Sequence, residues 1–219
     1  MSRDRGEASE WALLKGELRW MVRVFGAIVA VLWIEEIVDA FLLGGALDAY
    51  GIRPREPASL GGVLLMPLLH GGFPHLVANT VTLCIFGPML LLRGVRRFAW
   101  TTLAITLLSG LGVWLFARPG SLHIGASGVL FGYFGMLLTA GIFERRAGPL
   151  LVSLFVGSAF GATLLGVLPG QEGISWEGHL FGFLAGMLVA WTAAVLERRR
   201  ARRSRTGGRE PTRSFGRRR

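Results

Sequence analysis

The chain has 219 residues, of which 52% are hydrophobic and only 17% charged, and its apolar residues gather in long runs instead of recurring at amphipathic spacing. That pattern excludes an ordinary water-soluble domain and a disordered chain, and it points to a membrane-embedded bundle. The net charge of +10 must then lie outside the runs, and the single cysteine, Cys84, excludes an intramolecular disulfide framework. Lying within an apolar run, Cys84 is expected to pack as a small buried hydrophobe.

Residues 1–19 form a mixed-charge segment, expected to be cytoplasmic. The first apolar run begins near Trp20 and is too long for a signal core, so no cleavable signal peptide is expected. A bilayer core needs about 20 helical residues, and six stretches meet that length: 20–43, 74–92, 98–117, 126–143, 147–168 and 178–196. Helices are the expected spanning element, because the runs lack a barrel's alternation and backbone groups in lipid must pair within their own segment. The first run carries Glu35, Glu36 and Asp39. An acidic group at bilayer centre costs roughly 2.5–3.5 kcal/mol, so these three are expected near the far interface, where carboxylates can reach water.

Between the first and second runs, residues 44–73 are rich in Gly and Pro and are expected to be an irregular external segment. The second run opens with His70-Gly-Gly-Phe-Pro-His75-Leu-Val-Ala-Asn79, in which His75 and Asn79 are four residues apart and share a helical face. Polar and ionisable groups at membrane depth are functional candidates by default. Arginines then mark the inner face: Arg93, Arg96 and Arg97 after the second run, Arg145 and Arg146 after the fourth, and eleven arginines after Leu196. The opposite loops hold only Arg53, Arg55 and Arg118. Positive charge is retained inside, so both termini are expected in the cytoplasm, with the chain a multi-pass protein of the plasma membrane.

His123-Ile-Gly125-Ala-Ser127-Gly128 comes directly before the fourth run. Ser127 therefore falls at or near a helix N-terminus, where unpaired amides and the positive dipole end suit an oxyanion, although a serine there can equally serve only as an N-cap. His123 is expected to cap the turn. The sixth run opens with Gly178-His179-Leu-Phe-Gly182-Phe-Leu-Ala-Gly186, a small-residue ridge at four-residue spacing that lets two membrane helices touch nearly backbone to backbone. Its expected partner is the fourth span, through Gly128, Gly132 and Gly135, which would bring His179 to Ser127 at one depth. Glu172 and Glu177 lie near His179 in sequence and are expected to be solvated loop charges, not members of a triad. Residues 197–219 alternate arginine with Ser, Gly and Pro and are expected to be a disordered cytoplasmic tail touching anionic lipid, with no nucleic-acid role.

Together, the His70, His75, Asn79 series, the Gly125-Ala126-Ser127-Gly128 turn and the Gly178-His179 opening resemble the rhomboid family over about residues 51–191. The resemblance implies an all-α, six-span membrane domain over residues 20–196 and an intramembrane serine endopeptidase without cofactor or metal. In that reading Ser127 and His179 form the catalytic dyad, His70 and Asn79 help to hold the oxyanion, and Gly125 and Gly128 shape the turn. His75 is given only a supporting role, in hydrogen bonding or water delivery. The expected client is a transmembrane segment that unwinds near the outer interface, since a stable helix hides its carbonyls in internal hydrogen bonds. Two positions depart from the family pattern: Phe131 stands where many members have tyrosine under the catalytic histidine, and Ile52-Arg53 stands where some have Trp-Arg. Competing expectations are a catalytically inert rhomboid-like client binder, a haem or metal protein using His70, His75 and His179, and a transporter using Glu35, Glu36 and Asp39. The zinc helix of metalloproteases and a second intramembrane aspartate are both missing from the sequence.

Overall fold

The computed structural model describes residues 2–170 and 174–207. It is all-α, and the described residues carry no strand beyond one isolated bridge between Ile52 and His123. The helices are α1 (Ser2–Val38), continued by a π-helical turn over Asp39–Leu43, a short α2 (Gly62–Leu65), α3 (Phe73–Leu91), α4 (Val95–Phe116), α5 (Ser127–Glu144), α6 (Ala147–Phe160) and α7 (Trp176–Gly207). A 3₁₀ stretch over Gly161–Val167 extends α6.

Five helical segments, one at each of the last five expected runs, are long and apolar enough to cross a membrane. The expected first span is helical, but its charges keep it from qualifying on composition, and it lies along the side of the bundle. Trp33 Nε1 donates to Thr80 Oγ1 of α3 at 3.1 Å, and the Phe25 ring lies against Gly87. Its carboxylates do not reach for water as expected: Glu36 and Asp39 are buried, and Asp39 Oδ1 accepts the Leu47 amide at 2.9 Å. The reason is the segment over residues 44–73, which folds back over this end of α1.

That segment is irregular but ordered. Ile52, Val63 and Met66 pack with Val113 and Ala117 at the C-terminal end of α4, and Arg55 donates to the Leu115 and Ala117 carbonyls at 2.9 and 3.0 Å. Cys84, in contrast, is exposed on α3 and is no part of the packed interior.

The core centres on α5, which is buried on almost every side. Its partner is α7, and the glycine ridges meet as their spacing predicts: a Cβ on Gly182 would fall on the Gly128 carbonyl, and one on Gly186 on the Gly132 carbonyl. Farther along, a Cβ on Gly135 would lie 2.5 Å from the Phe183 carbonyl oxygen. Two membrane helices have no water to drive them together, so backbone approach at small residues provides the contact.

Ionic pairs gather at the two ends of the bundle. At the end where α5 finishes, Arg93 meets Glu144 at 2.5 Å and Arg97 meets Glu197 at 3.0 Å, tying the α3–α4 turn and α4 to the end of α5 and to α7. Helix α7 continues past Leu196 to Gly207, so the expected disorder gives way to helix over 197–207, while 208–219 lie outside the described residues. Extending an existing helix needs no new nucleus, and Ala, Arg and Glu are good helix formers.

Candidate active site

The end of the bundle where α5 and α7 begin holds a cavity of about 1020 Å³ lined by α3, the segment before α5, α5 itself and the start of α7. Among its lining groups are His75, Asn79, Ser127, Phe131 and His179, contributed by three separate helices.

Helix α3 begins after Gly72, whose φ of 108° is open to glycine, with Pro74 in the first turn, where its missing N–H costs nothing. His75 and Asn79 then follow one turn apart. Gly125 lies directly against them: a Cβ there would sit 2.6 Å from His75 Nε2 and 3.5 Å from Asn79 Nδ2, and its φ of 106° disfavours any other residue. Its amide is held by the Met66 carbonyl at 2.9 Å. Asn79 is buried, and its Nδ2 has no partner. An amide donor left free in a buried wall is costly unless a ligand group completes it.

Ser127 is the first residue of α5. Ala126 occupies the N-cap position and no side chain caps the helix, so the N-cap role that the sequence leaves open does not apply. The first intrahelical bond recorded at this end runs from the Leu130 amide to the Ala126 carbonyl at 3.1 Å. Amides ahead of that bond belong to the unpaired set at the helix start.

His179 is fixed on both faces of its function. Its Nδ1 lies 2.9 Å from the Gly166 carbonyl oxygen, a contact that requires an Nδ1–H donor, so the neutral ring keeps its lone pair on Nε2. The ring stacks on Phe131 with centroids 4.0 Å apart and 11° between planes, so the phenyl group supplies the stacking expected of a tyrosine at that position. Gly166 is a residue that sequence reasoning missed; a Cβ there would come within 2.7 Å of the Phe131 ring. Ser127 and His179 share the cavity with no hydrogen bond between them, and such contacts commonly tighten only in the substrate complex.

His70 does not line the cavity. It is buried behind His75, edge-on at 5.3 Å, and its Nδ1 donates to the Leu68 carbonyl at 3.0 Å. Burial, reinforced by His75 and opposed by the Leu68 contact, pushes its pKa down to about 4. The neutral ring therefore has an acceptor, not a donor, at Nε2, which corrects the expected oxyanion role; His75 is the histidine that faces the cavity.

The remaining neighbours also differ from expectation. Glu177 is not a solvated loop charge: its carboxylate is buried and bonded to Arg118 Nε at 2.7 Å. It does not orient His179, whose Nδ1 is taken by Gly166. Glu172 lies outside the described residues. His123 does not cap the turn but joins Ser121 and Ser175. Among the described residues no group of three or more His, Cys, Asp or Glu is arranged to hold a metal ion.

A family model described as the rhomboid domain matches residues 58–195. An uncharacterized protein of Mycobacterium tuberculosis is 41% identical over 201 residues, covering 87% of this chain and 83% of that protein. YdcA of Bacillus subtilis, which carries a provisional rhomboid-protease name, is 29% identical over 139 residues, 61% of this chain and 67% of its own. RHOMBOID-like protein 4 of Arabidopsis thaliana is 31% identical over 138 residues, 58% of this chain and 32% of its own.

Proposed function

The chain belongs to the rhomboid family of multi-pass integral membrane proteins, and from that premise we propose that it is an intramembrane serine endopeptidase cutting the transmembrane segments of other proteins. The observation that carries this reading is the state of His179, with its Nδ1 proton committed to the Gly166 carbonyl, its ring stacked on Phe131, and both His179 and Ser127 lining one cavity.

Ser127 Oγ attacks a substrate carbonyl carbon while His179 Nε2 takes the hydroxyl proton. The tetrahedral oxygen is held by the α5 N-terminal amides, by the unpartnered Asn79 Nδ2 and by His75. When the C–N bond breaks, the imidazolium returns its proton to the leaving amine. Water then attacks the acyl carbonyl carbon and gives a proton to His179, which passes it to Ser127 Oγ as the ester C–O bond breaks and the carboxylic product leaves. The Gly166 contact does for the ring what a triad carboxylate does elsewhere: it sets the tautomer and favours the charged form as the proton arrives.

By the arginine bias, the cavity opens toward the outside of the plasma membrane and both termini are cytoplasmic, with α1 as a sixth span. The exposed Arg198, Arg199 and Arg200 on the inner extension of α7 then meet anionic headgroups.

The test is cleavage of a single-span model substrate in detergent or liposomes. Ser127→Ala and His179→Ala should each lower kcat at least about 10³-fold, and Asn79→Ala or His75→Ala should lower it about 10²- to 10³-fold. Undiminished cleavage in either dyad variant ends the proposal. A serine-reactive fluorophosphonate should label wild type and not Ser127→Ala; an inert, client-binding relative would stay unlabelled.

A further inference from the structure

One buried histidine on the cavity wall has no part in the chemistry above. His123 is 3% exposed, and both its ring nitrogens are engaged: Nε2 with Ser121 Oγ at 2.7 Å and Nδ1 with Ser175 Oγ at 2.6 Å. The neighbouring bonds give these contacts a direction. Ser121 Oγ donates to the Arg118 carbonyl at 2.6 Å, so it accepts from His123 Nε2–H. Nδ1 of the neutral ring is then an acceptor, and Ser175 Oγ–H donates to it. With its proton so placed, Ser175 Oγ accepts the Gly178 amide at 3.1 Å. The chain therefore runs from Gly178 N–H through Ser175 to His123, and from His123 through Ser121 to the Arg118 carbonyl, with each polar atom used in one consistent sense.

Its two ends are the two segments that deliver the dyad. On one side, His123 stands four residues before Ser127, and its backbone is paired with Ile52 by two hydrogen bonds of 2.9 and 3.0 Å, which anchor it to the external segment. On the other, Ser175 directly precedes α7 and holds its first turn twice, through Oγ to the Gly178 amide and through its carbonyl to the His179 amide at 3.1 Å. A displacement of Ser175 is passed straight to the His179 backbone.

We infer that His123 is a positioning residue: its ring, through Ser175, locks the start of α7 against the segment that leads into Ser127 and so sets where the His179 imidazole stands. The inference rests on the dyad reading. Burial lowers the His123 pKa, with Glu177 opposing and Arg118 adding to the shift, in keeping with the neutral ring that the bond directions require. A misplacement of about 1 Å remote from the reacting atoms can cost about 10²-fold in rate, so the tie has leverage although it touches no reacting atom.

The experiment compares full-length wild type, His123→Ala, His123→Asn, Ser175→Ala and the double alanine variant in cleavage of the single-span substrate. His123→Ala should lower kcat about 10- to 100-fold with KM within about threefold, because the buried ring offers a client almost no surface. His123→Asn puts an acceptor oxygen near the Nδ1 position and should recover kcat to within about fivefold of wild type. Ser175→Ala should match His123→Ala, and the double variant should be no worse than either single one, as for two members of one linkage. Wild-type kcat in His123→Ala, no gain from asparagine, or losses that multiply in the double variant overturn the inference while leaving the dyad intact. If wild type yields no Ser127-dependent product, the dyad reading is the one that fails, and amide hydrogen exchange then judges the tie. Exchange at Gly178 and His179 should be at least tenfold faster in His123→Ala, and unchanged exchange overturns it.

Discussion

Helices α5 and α6 follow one another in the chain, and both, α6 with its 3₁₀ extension to Val167, are long enough to span a bilayer, yet they occupy opposite environments. Of the spanning window of α5, 67% is buried inside the protein; of that of α6, 11%. The more apolar of the two is the less buried one. In water that would be an inversion, but lipid is as apolar as leucine, so the helix facing lipid is free to be uniformly greasy. The helix in the interior instead carries what close packing and chemistry require: Gly128, Gly132 and Gly135 for backbone contact with α7, Tyr133 hydrogen-bonded to Thr102 at 2.6 Å, and Ser127 at the cavity. In this molecule hydropathy reports contact with lipid, and departures from it mark the core.

The contrast can be broken first where α5 and α7 touch. Gly182→Val places a side chain on the Gly128 backbone, which cannot withdraw, and should cost about 3 kcal/mol or more. Thermal unfolding in detergent would show it, and a wild-type transition would mean that the ridge contact is not what holds the two helices. A smaller effect is expected from Phe131→Leu, which removes the stacked ring under His179. Aromatic contacts of this kind are worth about 0.5–1.5 kcal/mol, so kcat/KM should fall about two- to tenfold with stability nearly unchanged.

On the α6 side, Ser153 is the exception that sharpens the comparison. Its hydroxyl donates to the Leu137 carbonyl at 2.7 Å and accepts the Gly141 amide at 2.9 Å, the i and i+4 groups of α5's own ladder. Ser153→Ala should destabilise by about 0.6–1 kcal/mol in the same unfolding assay. Leu151, 67% exposed on the outer surface of α6, makes the opposite case. Leu151→Ala should shift stability by less than about 0.5 kcal/mol, and a loss comparable to that of Gly182→Val would show that α6 is packed against a partner and not against lipid.

How much of this was legible beforehand varies by element. The last five spans are readable because lipid imposes a long apolar run on each, and the α5–α7 crossing because glycine at four-residue spacing has few other uses in a membrane helix. His75, Asn79, Ser127 and His179 are readable as candidates, since polar groups among apolar ones stand out. The first expected span is less so: Glu36 and Asp39 look like an interfacial end, and only the folded-back segment over residues 44–73 makes them buried. His70 and His75 look equivalent in the sequence, and the fold separates them by turning one toward the Leu68 carbonyl and the other into the cavity.

The amino-acid sequence by itself determined that the chain enters a membrane, where most of its helices lie, how its arginines are distributed, and which few polar residues have reason to sit at depth. Only the tertiary structure decided which of those residues meet, which nitrogen of His179 is free, and that Gly166, Ser175 and Arg118 belong to the same constellation. The physical reason is that these last contacts join stretches far apart in the chain, several of them through backbone carbonyls and amides, which every residue carries alike. Residue type therefore says nothing of them until the chain has folded.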